Sequence, residues 1–137
     1  PAGGDELNLI ERGANYGYPI VSNGEHYDGR PIPDHDTRPE FKAPATWWTP
    51  VISPGDMLIH RGDAFADWRG DALIAGLSSK AIIRVELHDD GSAEEVERYD
   101  MAARIRALAE NDAGQLLVLE DERDGAGGRL LRLSPAN

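Results

Sequence analysis

Two arginines that stand two positions apart, Arg104 and Arg106, are the residues of this chain best suited to chemistry. Side chains alternate between the two faces of an extended strand, so both guanidinium groups are expected to point in the same direction. Two neighbouring guanidinium groups can bind a flat polyanion with several carboxylates, because each forms paired hydrogen bonds with a carboxylate. The alternative interpretation is an exposed basic strand, since charged side chains usually lie at the surface.

The composition limits the possible partners. The chain has 137 residues, a formal net charge of −11 and no cysteine, and its pI is about 4.6. This acidity argues against nucleic acid and against an anionic membrane surface as partners. The lack of cysteine excludes disulfides, thiolate metal sites and a thiol nucleophile, and it fits the periplasm. No apolar run reaches the length of a membrane span.

The chain divides into two segments that must position the arginine pair. Residues 1–56 are rich in Gly, Pro, Asn and Asp and predict long loops, whereas residues 57–137 read as short strands. Strands are predicted at 57–60, 72–77, 82–87, 94–99, 104–109, 115–120 and 129–133. Turn residues lie between them at 89–91, 111–114 and 124–128. A helix over 101–110 is the alternative for one segment, because Met101, Arg104, Ile105 and Leu108 would share a helical face.

A weak internal repeat predicts the architecture. The segment Gly70-Asp71-Ala72-Leu73-Ile74 resembles Gly114-Gln115-Leu116-Leu117-Val118, and each is followed by a second apolar strand. An offset of roughly 44 residues is typical of a four-stranded propeller blade. Two such blades cannot close a ring and would leave sheet edges open. We therefore expect the C-terminal part of a propeller, completed by the remaining blades of a parent protein or by self-association. The start at Pro1-Ala2-Gly3-Gly4 likewise suggests a piece of a longer chain.

Several motifs together resemble one family. They are Gly3-Gly4-Asp5-Glu6-Leu7-Asn8-Leu9-Ile10, Gly13-Ala14-Asn15-Tyr16-Gly17-Tyr18-Pro19, Trp48-Thr49-Pro50, Phe65, Trp68-Arg69-Gly70, Leu77, Arg84, Arg104-Ile105-Arg106 and Leu130-Leu131-Arg132-Leu133. In this order they resemble the soluble pyrroloquinoline quinone (PQQ)-dependent aldose dehydrogenases, the glucose/sorbosone dehydrogenase family, nearly from end to end. The resemblance implies an all-β, six-bladed β-propeller with PQQ on a Ca²⁺ ion at one end of its central channel. This chain would supply about the last two blades and, before them, a long loop beside the cofactor and calcium.

The resemblance also implies roles for individual residues. Arg104 and Arg106 match the pair that binds the PQQ carboxylates, and Trp48 or Thr49 would lie beside the quinone ring. Packing between blades is the alternative role for Trp48 and its neighbour Trp47. Pro1 matches a residue whose backbone carbonyl binds the calcium under the cofactor, and carbonyl oxygen suits that ion.

A second calcium site in some family members would use Glu6, Tyr16, Ser22 and Gly24 here. The glutamate that completes this site in the family is replaced by Lys42, which puts the second ion in doubt. Two further departures weaken the cofactor site. Ser78 stands where some members have a lysine that contacts PQQ, and Ala107 replaces an aspartate that commonly follows the arginine pair.

The four histidines do not match the family's catalytic base, which lies upstream of this chain. His60 ends a predicted strand and His88 begins a turn, so both are expected at the solvated surface. His26 and His35 lie in the polar loop and show no special pattern. Their spacing does not suit zinc. The sequence therefore offers no catalytic residue, and we expect the isolated chain to be inactive.

Two interpretations of function follow. The first is the C-terminal part of a periplasmic or secreted PQQ-dependent sugar dehydrogenase, which oxidises an aldose at its anomeric carbon to a lactone and passes electrons to an external acceptor. The second is a non-catalytic propeller that serves as a binding module, which the substitutions at Lys42, Ser78 and Ala107 favour. An esterase or lactonase propeller shares the fold, but it needs calcium-binding side chains from every blade, which this chain does not display.

Overall fold

The structure, a computed structural model, describes residues 2–122 and 127–136 and consists mainly of β-strands and loops. The strands are β1 (Asp5–Leu7), β2 (Thr46–Trp48), β3 (Pro54–Ile59), β4 (Ala72–Gly76), β5 (Ala81–Leu87), β6 (Ala93–Asp100), β7 (Ile105–Glu110), β8 (Leu116–Glu120) and β9 (Leu130–Leu133). Two single 3₁₀ turns, His35–Thr37 and Ala66–Trp68, interrupt the loops. The chain separates into two compact units, one formed by Pro1–Ile52 with His88–Glu94 and one by Ser53–Leu87 with Glu95–Asn137.

The larger unit contains two antiparallel sheets. The first has the order β3-β4-β5-β6 and the second the order β7-β8-β9. All five residues of β4 are buried, whereas β6 carries mostly exposed charged residues. The inner strands therefore read as continuous apolar runs, and the charged outer strand discourages pairing with another chain.

One apolar core joins the two sheets. Its fully or nearly fully buried members come from β4 and β5 of the first sheet and from β7 and β8 of the second, and they are Leu73, Ala75, Ile82, Ile105, Leu108, Leu116 and Val118. The β4–β5 and β8–β9 pairs have a regular register, with Ile74 opposite Ile83 and Leu117 opposite Arg132. Sheets that pack face to face through such side chains are the building principle of a propeller.

The smaller unit is mostly loop, fixed by one short strand pair. In it β1 pairs with β2 in antiparallel fashion, which places Glu6 opposite Trp47 and Leu7 opposite Thr46. Gly3 and Gly4 precede β1 with positive φ angles of 89° and 74°, a backbone conformation that glycine adopts without strain. Asp5 ties β1 to the chain after β2, because its Oδ2 accepts a hydrogen bond of 2.8 Å from the Ile52 amide.

The strand predictions for the second half of the chain are confirmed, with ends displaced by up to three residues. The alternative of a helix over 101–110 is wrong, because most of this segment forms β7 and pairs with β8. Neither β1 nor β2 was predicted. The predicted turn at 124–128 lies mostly outside the described residues.

Candidate functional site

The arginine pair lies at an irregularity of the second sheet. Ile105 pairs with Glu120 and Ala107 with Leu119, so Arg106 is an extra residue in β7 at this bulge. Ile105 is completely buried, which directs its two neighbours away from the core. Arg104 Nε and an Arg106 Nη both donate to the same carboxylate oxygen, 3.1 Å away in each case. The expectation that both guanidinium groups point the same way is confirmed.

The shared carboxylate belongs to Asp121, directly after β8. Its backbone amide donates to the Arg104 carbonyl at 2.8 Å, which fixes the side chain beside the pair. Hydrogen bonds from Arg106 and then Arg104 hold the pKa of Asp121 below its ordinary value of 3.8. The carboxylate is therefore ionised and draws the two cations together. Sequence reasoning missed Asp121, and its position after a predicted strand was the only signal available.

Strand β3 supports the bulge from the neighbouring sheet. A Cβ atom added to Gly55 would lie 2.8 Å from the Arg106 carbonyl oxygen, so the two backbones approach too closely for any larger residue. The Asp56 carboxylate accepts a 3.0 Å hydrogen bond from the Leu108 amide. Gly55 and Asp56 therefore allow β3 to pack against β7, the strand that carries Arg106.

The two neighbouring tryptophans have different surroundings. Trp48 is only 7% exposed and belongs to the core, whereas Trp47 is 52% exposed. This difference follows from strand alternation in β2. The packing alternative therefore describes Trp48, and its assignment to the quinone ring stays a prediction.

Thr49, the second residue expected beside the quinone, is tied to the glycine segment. Its hydroxyl accepts from the Gly4 amide and donates to the Asn23 carbonyl, both at 3.1 Å. It also lines a cavity of about 440 Å³ that lies entirely within the smaller unit. The lining residues are Asn23, Asp34, His35, Asp36, Ala43, Pro44, Trp47 and Thr49. This volume is large enough for a small ligand.

The residues expected to hold calcium are engaged with other partners. Glu6 Oε1 lies 3.3 Å from His35 Nε2, and its Oε2 accepts from Asn8 at 3.2 Å. The Tyr16 hydroxyl donates to the Leu9 carbonyl at 2.6 Å and accepts from the Glu11 amide at 2.8 Å.

The two remaining candidates in the loop are packed against backbone. The Ser22 hydroxyl accepts from the Gly24 amide at 3.2 Å, and a Cβ added to Gly24 would lie 2.2 Å from the Gly3 carbonyl oxygen. Pro1 lies outside the described residues. Within 2–122 and 127–136, no three or more histidine and acidic side chains are grouped as a metal site.

Lys42 forms a cross-link in the smaller unit. Its Nζ lies 2.7 Å from Glu11 Oε1, and its backbone amide donates to the Asn15 carbonyl at 2.8 Å. Mainly Glu11, with a further contribution from Tyr16, raises the pKa of Lys42 above its ordinary value. The ammonium group therefore lies near a residue that the sequence assigned to calcium.

Two histidines, His35 and His60, are buried, and for His60 this contradicts the expected surface position. His35 has only 4% of its side chain exposed, and its Nδ1 has no partner among the described residues. His60 is completely buried, and its Nδ1 lies 2.5 Å from Glu110 Oε2. The two atoms are in close contact, although His60 Nδ1 makes no regular hydrogen bond among the described residues. His88 is exposed, as expected.

The surroundings of His60 explain its burial. The rings of Phe65 and Trp68 stack at 4.3 Å and meet His60 edge-on at 6.0 and 6.4 Å. Arg84 lies 5.8 Å from the Trp68 ring centroid and donates to Asp71 at 2.6 Å. The histidine is thus part of an aromatic cluster that also draws on the family motif residues Phe65, Trp68 and Arg84.

The repeated antiparallel sheets around a shared core define this chain as part of a β-propeller. The family model described as Glucose / Sorbosone dehydrogenase matches residues 1–132, so the chain belongs to that family. The predicted fold class and the family resemblance are both confirmed.

Relatives and solved structures agree with this assignment. The aldose sugar dehydrogenase YliI of Escherichia coli is 32% identical over 142 residues, which cover all of this chain and 37% of that protein. An uncharacterised protein of Synechocystis sp., slr1608, is 34% identical over 132 residues, covering 96% of this chain and 31% of that protein. A glucose dehydrogenase crystal structure superposes with a TM-score of 0.85 at 36% identity, covering 99% of this chain and 39% of that one.

The apo form of the soluble aldose sugar dehydrogenase from Escherichia coli superposes with a TM-score of 0.83 at 30% identity, and this chain covers 39% of it. The chain thus spans about a third of the length of the curated relatives it matches. In the described part of the chain, no helix has the length and apolar character needed to cross a membrane.

Proposed function

We propose that this chain is the cofactor-holding C-terminal part of a PQQ-dependent sugar dehydrogenase. The observation that carries the proposal is the geometry of Arg104 and Arg106, which converge on one carboxylate oxygen from neighbouring strand positions. The identity to the aldose sugar dehydrogenase YliI over the whole chain supports the substrate class.

The arginine pair fits a cofactor that carries several carboxylates. Each guanidinium group has five N–H donors, and only one of them in each residue is used on Asp121. The remaining donors suit paired hydrogen bonds to further carboxylates. Asp121 keeps both groups in place before any ligand arrives, so less side-chain entropy is lost when a ligand binds.

If held at the arginine pair, PQQ would supply a hydride acceptor for the anomeric carbon of an aldose. The anomeric hydroxyl would lose its proton to a base, and the sugar would leave as a lactone. Within this chain, Arg104 and Arg106 would bind and orient the cofactor, and Thr49 would fix the glycine segment that precedes β1. A Ca²⁺ ion at the Pro1 carbonyl completes the proposal. The general base comes from outside this chain, as does the contact with an external electron acceptor, and the parent protein is periplasmic or secreted.

A non-catalytic binding module is the second candidate, and one observation favours it. Asp121 already neutralises part of the positive charge that a cofactor would need. Ser78 and Ala107 remove further polar support that the family resemblance implies. Either function requires the remaining blades of the parent propeller or self-association of open sheet edges.

The test is cofactor binding by the full-length protein that contains this chain, measured by PQQ titration with Ca²⁺ and followed by thermal shift. A ligand that binds only the native state raises Tm by mass action. Loss of one charge-assisted contact costs about 1.5–3 kcal/mol, so Arg104→Ala or Arg106→Ala should each weaken PQQ binding roughly tenfold or more.

A matched control removes an arginine from another carboxylate contact. Arg98 on the outer strand β6 binds Glu95 with two nitrogens, at 2.8 and 2.7 Å, so Arg98→Ala should leave PQQ affinity unchanged. Absence of any calcium-dependent shift in the wild type would reject the dehydrogenase and leave the binding module.

A further inference from the structure

The family resemblance implies a second calcium ion at Glu6 and near Lys42, and in the structure each of these residues is paired with another side chain. Glu11 contacts the Lys42 ammonium at 2.7 Å and Glu6 contacts the His35 imidazole at 3.3 Å. A calcium site needs six to eight oxygen ligands, among them carboxylates that are free to turn toward the ion.

The position of Lys42 makes the binding of a further cation nearby unfavourable. Its backbone hydrogen bond to Asn15 fixes Lys42 beside the Tyr16 turn. The Tyr16 hydroxyl is meanwhile held between the Leu9 carbonyl and the Glu11 amide. A divalent ion at Tyr16 would therefore lie close to an ammonium group, and like charges at short distance repel each other.

The groups around His35 are likewise already bound to partners within the protein. An ionised carboxylate can only accept hydrogen bonds, so the contact between His35 Nε2 and Glu6 requires that the imidazole donates. Asn8 Nδ2 donates to the other Glu6 oxygen at 3.2 Å. Both oxygens of Glu6 are therefore in use, and one nearby acceptor, Asn8 Oδ1, is buried without a partner in the described residues. One amide oxygen does not make a calcium site.

We propose that this segment has exchanged the second calcium ion for protein groups, with Lys42 bound to Glu11 and His35 bound to Glu6 in the place of the metal. The loop from Leu9 to Tyr16 then keeps its conformation without a metal ion, whether or not the cofactor is bound. This inference concerns the loop alone and does not depend on the proposed oxidation chemistry.

The experiment counts calcium ions in the full-length protein after dialysis against millimolar Ca²⁺, by atomic emission. The wild type and Glu6→Gln are expected to hold the same number of ions. One ion fewer in Glu6→Gln would overturn the proposal. If the cofactor calcium is missing, the counts of the wild type and the variant fall together, so that failure is distinguishable.

A gain-of-function variant gives an independent readout. Lys42→Glu removes the ammonium group and adds a carboxylate at the position of the family's glutamate. Calcium is expected to raise the Tm of Lys42→Glu by roughly 3–5 °C at saturation, whereas the control Lys42→Met should show only the shift of the wild type. Equal calcium shifts in the wild type, Lys42→Glu and Lys42→Met would show that Lys42 does not occupy the place of a cation.

Discussion

Replacing His60 by alanine is expected to destabilise the protein strongly, although sequence reasoning alone would treat it as a surface change. The His60 side chain is completely buried beside Phe65 and Trp68, so truncation leaves a cavity. A cavity of this kind costs about 2–3 kcal/mol. Glu110 also loses the imidazole nitrogen that lies closest to its carboxylate, which adds about 1 kcal/mol. Because such contributions do not add fully, we expect a total near 3 kcal/mol.

The assay is thermal unfolding of the full-length protein, in which a loss of about 3 kcal/mol lowers Tm by roughly 5 °C. His88→Ala is the matched control, because His88 is an exposed histidine at a strand end. Exposed substitutions usually change stability by less than about 0.5 kcal/mol. If His60→Ala and His88→Ala lower Tm equally, the buried placement of His60 is refuted.

Glu110, which contacts His60, should make the stability of the protein depend on pH. Burial opposes ionisation of Glu110, but the amides of Arg61 and Gly62 and the nearby His60 outweigh it, so the pKa of Glu110 lies below its ordinary value of 4.5. A carboxyl with a depressed pKa stabilises the fold above that ordinary value, and this stability is lost as the pH falls through the folded pKa. Acid unfolding should therefore depend less steeply on pH in Glu110→Gln than in the wild type. Identical profiles would contradict the contact.

Three further predictions follow from the same structure. Burial raises the pKa of Tyr99 to about 12, so the native state keeps this proton longer, and the free energy of unfolding should fall as the pH rises from 10 to 12; a tyrosinate absorbance titration that matches free tyrosine would contradict this. Arg84→Ala should cost about 2 kcal/mol in thermal unfolding, because it removes a partly buried carboxylate contact and a cation–π contact, whereas Arg98→Ala should cost less than about 1 kcal/mol. Gly24→Ala should lower Tm more than either arginine variant, since its Cβ would lie 2.2 Å from the Gly3 carbonyl oxygen, and an unchanged Tm would disprove this close approach.

Much of the fold of the larger unit could be predicted, because it depends on residues that lie close together in the sequence. Short strand-like segments between turn signals gave seven strands, and the likeness of residues 70–74 to residues 114–118 gave the blade period. The shared direction of Arg104 and Arg106 followed from strand geometry alone. The bulge at Arg106 did not follow, because it depends on the pairing with β8.

The contacts that escaped prediction join residues far apart in the sequence. Glu110 lies about 50 residues from His60, and Glu6 lies 29 residues from His35. A histidine at a strand end reads as exposed unless the acidic partner is known, since burial of such a group is favourable only with that partner. The pairing of β1 with β2 is missed for the same reason, because a strand of three residues carries too little periodicity to detect.

Asp121 changes how the arginine pair should be understood. Two guanidinium groups held close together repel each other, and a carboxylate that both share offsets this repulsion while fixing their direction. The cost is that an incoming anion meets a cluster with a net charge of about +1 rather than +2. In the proposed cofactor site, such a pair would favour a ligand with several carboxylates spaced to reach both guanidinium groups at once, because a single carboxylate only repeats what Asp121 already supplies. Geometry rather than total positive charge is therefore what an acidic protein can use to recognise a polyanionic cofactor.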